Sequence, residues 1–179
     1  MQDHDAVRAV HRRAFGNDHG RTVAGLVDAL RRDDPAALSL VAEEAHEVVG
    51  HIMFSRCLLD APRRLVPVQS LSPLAVVPDR QGRGIGAALI RRGLRELDER
   101  GVPLVFLEGD PRYYARAGFS RAGEHGFRKP SLRIPDAAFQ VLRLSAYEPW
   151  MTGTFVYSGT FWDHDCVGLR DSDPADSTE

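Results

Sequence analysis

Residues 80–86 read Arg80-Gln81-Gly82-Arg83-Gly84-Ile85-Gly86, two residues after an apolar run at 71–77 and at the opening of a helical pattern. Three glycines leave backbone N–H groups unshielded where that helix begins. A helix N-terminus carries partial positive charge and unpaired donors, so it can hold a phosphate or pyrophosphate. The expected ligand is a phosphorylated cofactor. Other groups could move protons. Tyr113 and Tyr114 are adjacent phenols, and a phenol stays protonated at neutral pH and can donate. Glu108 closes a short apolar run at 103–108, and Glu44, His51 and Asp110 are weaker acid–base candidates. His51 alternates with apolar neighbours, which favours a structural role. Asp163-His164-Asp165-Cys166 has metal-capable side chains but no second cluster to pair with, so it reads as a solvated turn and no metal is expected.

These groups need a scaffold, and the hydrophobic spacing outlines one. Val7, Val10, His11, Ala14 and Phe15 fall at helical spacing over 5–15, and residues 16–20 break the pattern. A second helix is expected over 22–32, with Val23, Leu26, Val27 and Leu30 on one face, ended by Asp33-Asp34-Pro35. Strands are expected at 38–42, 48–59, 71–77, 103–108 and 139–144, with turns near 44–47 and 61–64. Residues 84–100 form an amphipathic helix with Ile85, Leu89, Ile90, Gly93, Leu94 and Leu97 on one face and Gly101 after its end. A short helix over 111–117 closes at Gly118.

Composition narrows the class. The chain has 179 residues, 43% of them hydrophobic and 27% charged, which suits one folded domain. That domain is expected to span 1–169. An acidic tail at 170–179 is expected to be disordered. A net charge of -2 gives no global pull toward nucleic acid or anionic membrane. Arg80, Arg83, Arg91, Arg92 and Arg95 cluster locally, and the last three read as a solvated helix face. Two cysteines, Cys57 and Cys166, make no disulfide framework, and Cys57 reads as a buried small hydrophobe. No apolar run approaches the roughly 18–20 residues that span a bilayer. A reducing, cytoplasmic compartment is expected. Six of the 14 aromatic residues lie between 147 and 162, a density expected of a segment that docks on the fold. It could cover an acceptor site or form a homodimer contact.

With these residues in view, the chain resembles the GNAT superfamily of N-acetyltransferases. Gln81-Gly82-Arg83-Gly84-Ile85-Gly86 fits that family's acyl-CoA signature, [RQ]-x-x-G-x-[GA], and Leu74-Ala75-Val76-Val77-Pro78 resembles its fourth strand. Gly109-Asp110-Pro111-Arg112-Tyr113-Tyr114-Ala115-Arg116-Ala117-Gly118-Phe119 and residues 134–139 are similar to its YhbS-like branch. The resemblance covers 5–165 and departs at the start: the family usually opens with a short strand, whereas this sequence begins almost at its first helix, so that strand is expected either upstream or missing.

The resemblance implies a mixed α/β (α+β) fold with a central, mostly antiparallel sheet flanked by about four helices. The sheet would splay between the family's fourth and fifth strands, here 71–77 and 103–108. Acetyl-CoA would lie in the splay as acyl donor. The N–H groups of Arg83, Gly84, Ile85 and Gly86 would hold its pyrophosphate, Gln81 and Gly82 would complete the loop, and Leu74 and Val76 would pair with the pantetheine arm. Arg80 and Arg83 could add to the phosphate contact. A primary amine of a small molecule or peptide would attack the thioester directly. Tyr114, four residues before Gly118, would protonate the leaving thiolate. Glu108 is the best single candidate for the base, with a water chain as the alternative. A non-catalytic acyl-CoA-binding module and an acetyltransferase acting on charged tRNA are the rival readings within the family. A dinucleotide oxidoreductase is the rival outside it, since Gly82-x-Gly84-x-x-Ala87 also satisfies G-x-G-x-x-[GA]. Four residues between strand and first glycine, and the absence of repeated strand–helix–strand units, count against it.

Overall fold

A computed structural model describes residues 3–170. The acidic tail expected at 170–179 lies outside the described residues, apart from Arg170. Helices α1 (Asp3–Phe15) and α2 (Asn17–Asp33) pack side by side. They bury the apolar faces legible in the sequence, Val7 and Val10 on α1, and Val23, Leu26, Val27 and Leu30 on α2. Phe15 departs from that pattern: it is partly exposed and stacks on His11. The expected break over 16–20 shrinks to Gly16 alone. Gly20 is inside α2 because it is a contact, not a breaker: a Cβ there would stand 2.6 Å from Arg12 Cα and 2.8 Å from the His11 carbonyl. A missing side chain lets the two helices approach.

Among the described residues the sheet has eight strands: β1 (Leu38–Glu44), β2 (Glu47–Asp60), β3 (Leu65–Val76), β4 (Leu104–Glu108), β5 (Ser120–Arg121), β6 (Phe127–Arg128), β7 (Phe139–Arg143) and β8 (Gly153–Val156). Their order is β5-β7-β4-β3-β2-β8-β6, with β1 beside the first half of β2. Only the β3–β4 and β6–β8 pairings are parallel among the described residues. β3 begins at Leu65, well before the expected 71. Its first half alternates exposed Leu65 and Pro67 with buried Val66 and Val68, whereas only the later part is a continuous apolar run. β5, β6 and β8 were not expected, because two to four residues are too few to display a period.

Two layers cover the sheet. On one face α1, α2 and the C-terminal segment pack over Met53, Leu59, Val68, Phe106 and Phe155. Phe106 is fully buried, with ring centroids of Phe127, Phe139 and Phe155 at 5.2, 5.7 and 4.5 Å. Burying one such ring contributes about 1.5–3 kcal/mol. On the other face α3 (Ile85–Glu99) lays Leu89, Ile90 and Leu97 against Ile52, Phe54 and Leu107. Two short helices, α4 (Pro111–Tyr114) and α5 (Gly159–Asp163), bring the α-helices to five among the described residues. The aromatic segment folds into the core as expected of a docked segment: Phe155, Tyr157 and Phe161 are buried, while Trp162 stays partly exposed.

The splay falls where the family resemblance put it. β3 and β4 pair only at Gln69–Val105 and Ser70–Phe106. Beyond Ser70, Pro73 has no N–H to give a ladder, and the register of β2 shifts between Ile52 and Phe54 opposite it. From Leu74 to Val76 one edge of β3 still pairs with β2, and no strand of the described residues pairs with the other.

Candidate active site

A cleft of about 910 Å³ opens at that unpaired edge. One wall is Leu74 and Val76 of β3. The floor is the turn Gln81, Gly82, Gly84, Ile85 and Gly86, and the far wall is Tyr113, Tyr114 and Arg116. The turn starts with a single 3-10 turn, Pro78–Arg80, and Gln81 Nε2 donates to the Val76 carbonyl at 2.9 Å, tying the turn to the strand. Gly84 is the N-cap of α3 with φ +83°, a left-handed conformation that costs an L-residue about 1–2 kcal/mol. It offers no side-chain cap, and the first turn of α3 contains no acid. The leading N–H groups therefore face the cleft with the positive end of the helix behind them.

Seven of the eight cofactor residues expected from sequence line this cleft: Leu74, Val76, Gln81, Gly82, Gly84, Ile85 and Gly86. Arg83 does not line it. Its side chain is exposed, so a part for Arg83 rests on its backbone N–H. Arg80 lines the cleft with its guanidinium already engaged by Glu44 at 2.9 Å and Asp79 at 2.7 Å.

The two tyrosines diverge. Gly109 follows the end of β4 and its carbonyl accepts from Gln140 Nε2 at 3.1 Å, and Asp110 then caps α4 by accepting from the Arg112 N–H at 2.9 Å. Tyr113 and Tyr114 leave this short helix with ring planes at 86° and centroids 4.9 Å apart. Tyr113 reaches across the cleft until its hydroxyl lies against Gly86, where any Cβ would collide with it. Tyr114 lies deeper, over Gly109 and edge-on to Phe119 at 5.9 Å. Burial and the neighbouring Tyr113 push the Tyr114 phenol above its ordinary range, which keeps it a proton donor at neutral pH.

Glu108 lies elsewhere. Leu104, Phe106 and Glu108 alternate with Val105 and Leu107 along β4, and Val105 and Leu107 face α3. The Glu108 side chain thus points to the opposite face and is not part of the cleft wall. Its carboxylate accepts from the Tyr157 hydroxyl at 2.8 Å and from the Gly168 N–H at 3.2 and 3.3 Å. Burial pushes its pKa up, partly offset by those hydrogen bonds and by Arg133. Tyr157 and Gly168 were missed in the sequence because nothing local marks either as a partner of Glu108.

Other sequence candidates have structural work. His51 is fully buried and joins a chain on the α1–α2 face. Arg31 donates to Ser39 Oγ at 2.8 Å, and Ser39 Oγ shares a hydrogen bond with His51 Nε2 at 2.9 Å. His51 Nδ1 and His11 Nε2 share a hydrogen bond at 2.8 Å. Desolvation lowers both imidazoles, His51 to about 3 and His11 to about 4, so the pair is neutral. Glu44 is taken by Arg80, and Asp110 by the α4 cap. In the Asp163–Cys166 turn, Asp165 pairs with Arg170 at 2.7 Å, and no group of three His, Cys, Asp or Glu poised for a metal occurs among the described residues. Cys57 is buried and its thiol is pushed up to about 12. No helix of the described residues is long and apolar enough to cross a membrane.

Comparison with known proteins gives the arrangement its context. Residues 1–122 match the family model for an acetyltransferase (GNAT) domain. The chain is 38% identical over 157 residues, 84% of each protein, to a protein of Escherichia coli (strain K12) named uncharacterized N-acetyltransferase YjhQ. It is 33% identical over 134 residues to a mycothiol acetyltransferase of Kytococcus sedentarius, of which it spans 43%. Among solved structures, the GNAT-family YhbS of Escherichia coli in complex with CoA superposes with a TM-score of 0.78 at 32% identity, covering 90% of this chain and 87% of that one. A GNAT-family acetyltransferase of Brucella melitensis in complex with acetyl-CoA gives 0.70 at 36% identity, covering 89% and 92%. With a mostly antiparallel sheet and, among the described residues, one strand–helix–strand unit of parallel neighbours, β3–α3–β4, the dinucleotide reading falls. The chain belongs to the GNAT family of acetyltransferases.

Proposed function

We propose that this protein transfers an acetyl group from acetyl-CoA to a primary amine of a small molecule or peptide, by direct attack on the thioester. The observation that carries the reading is the pairing of an uncapped α3 N-terminus with the unpaired edge of β3 across one cleft. The first suits a pyrophosphate. The second suits an amide-bearing arm, since an open strand edge offers N–H and C=O groups that need partners. The complexes of the two similar structures with CoA and acetyl-CoA support the same donor.

In this reaction the amine nitrogen attacks the thioester carbonyl carbon, and the C–S bond breaks as the C–N bond is made. Tyr114 gives its phenolic proton to the departing thiolate. Glu108, whose side chain lies on the face opposite the cleft, takes through intervening water the proton the amine must lose. A buried carboxylate with a raised pKa is better matched to that task than an exposed one. Leu74, Val76 and the turn from Gln81 to Gly86 hold the donor. We place the reaction in the cytoplasm, where two unpaired cysteines stay reduced.

Calorimetric titration with acetyl-CoA, with NADH as control, followed by thiol release with a panel of primary amines, tests the reading. Binding of acetyl-CoA alone and turnover with at least one amine are expected. Binding of acetyl-CoA without turnover of any amine would instead identify a non-catalytic acyl-CoA module.

A further inference from the structure

Glu108 meets its two hydrogen-bond donors from residues 49 and 60 positions further along the chain. Both belong to the C-terminal segment that follows β8, outside the region matched by the family model. Tyr157 is nearly fully buried, its ring set against Phe155 at 4.7 Å and Phe161 at 4.6 Å. That packing fixes where its hydroxyl points. Gly168 has φ +65° and would press a Cβ into Arg133, and Arg133 itself donates to the Val167 carbonyl at 2.5 Å. The strap over Glu108 is thus held at both ends.

We propose that Tyr157 and the Gly168 N–H are positioning groups that hold Glu108 as an ionised, oriented carboxylate, so that the C-terminal segment completes the acid–base apparatus. This rests on the reading of Glu108 as the base. A base must be deprotonated to act. Burial favours the neutral acid, whereas donors directed at the carboxylate favour the charged form. The other titratable or charged groups near Glu108 are Arg133, whose positive charge also favours the carboxylate, and Cys166, a half-buried thiol. Cys57 lies beside Tyr157 and not against Glu108. Removing the Tyr157 hydroxyl takes away a donor and leaves the burial, so the carboxyl becomes harder to ionise.

The test needs no acceptor. Full-length protein with 13C at glutamate side-chain carboxyls is titrated from about pH 4 to 9, a window around the ordinary carboxyl range, and the Glu108 resonance is identified by its loss in Glu108→Gln. In Tyr157→Phe the Glu108 midpoint moves to higher pH by about one unit, the size expected for one lost charge-assisted hydrogen bond. An unmoved midpoint overturns the proposal. A second readout needs no variant: in the wild type the Tyr157 13Cζ resonance shifts through the same midpoint as Glu108, and a Tyr157 signal blind to that titration also overturns it. Kinetics separate this from the underlying reading. With acetyl-CoA and the best primary amine of the panel, the acid limb of kcat/KM moves upward in Tyr157→Phe along with the resonance. Full turnover in Glu108→Gln overturns the base reading whatever the resonance does. Lost turnover in Glu108→Gln with an unmoved midpoint in Tyr157→Phe overturns the positioning role alone.

Discussion

On one face of the sheet, the cleft floor comes from a single short run, residues 78–86, and its chemistry is that of backbone N–H groups. On the other face, Glu108 is set by a phenol and an N–H that arrive from the far end of the chain. A backbone site depends on dihedral angles and open space, so it tolerates exchange of side chains such as Arg83 but not a change of φ at Gly84. A side-chain site depends on where whole elements dock, so a distant packing error can disturb it without touching a reacting group. On the proposed reading, the phosphate-binding turn is thereby local, and the surroundings of Glu108 belong to the tertiary structure.

The contrast can be broken in several ways. Gly84→Glu adds bulk, a strained φ and a negative charge where a pyrophosphate is expected. Acetyl-CoA affinity should fall more than about 1,000-fold, or 4 kcal/mol, by calorimetry. Retained affinity would move the phosphates away from the turn. On the opposite face, His11 and His51 are held neutral with folded pKa values of about 4 and 3, below the ordinary 6.5. The unfolded chain takes up protons that the folded pair refuses, so their contribution is complete above about pH 6.5 and is lost as pH falls toward 4, for His51 on toward 3. Unfolding free energy from thermal melts should fall over that window by about 3 kcal/mol for each imidazole. Glu108, raised by burial, contributes with the opposite sign and blunts the fall. A double variant, His11→Phe with His51→Leu, should flatten the dependence. A curve as steep as the wild type's would place its origin elsewhere.

Tyr114→Phe removes only a hydroxyl beside the cleft. Turnover should drop about 100-fold, within the range for a lost general acid, while acetyl-CoA affinity stays within about twofold. Unchanged turnover would take Tyr114 out of the reaction. The smallest effect is expected from Gly20→Ala, which forces α1 and α2 apart by backbone contact and should cost about 1–2 kcal/mol, a few degrees in Tm, with acetyl-CoA binding unchanged. A loss of affinity in that variant would mean that the two faces are coupled after all.

The residues that could be read in advance share one property: their neighbours in space are their neighbours in sequence. The helical face of Leu89, Ile90 and Leu97, the cap at Gly84 and the hairpin turns near 45 and 62 are all settled within a few residues. Gly20 was misread because a glycine that breaks a helix and a glycine that lets two helices touch look the same until the second helix is present. β3 was read short because its first half is shaped by its hairpin partner, and β8 was not seen because four residues become a strand only when β2 and β6 lie beside them.

The same division runs through the chemistry. By itself the sequence determined that a helix would start at Gly84 with bare N–H groups and that two phenols would stand close beyond β4, since helix ends and tight turns are short-range matters of φ, ψ and capping. Only the tertiary structure decided that Tyr113 leans on Gly86 while Tyr114 lies deeper, that His51 bonds to His11, and that Glu108 turns away from the cleft to meet Tyr157 and Gly168. The orientation of a side chain at a strand end follows from which face of the sheet it occupies and what packs there. No local interaction sets either.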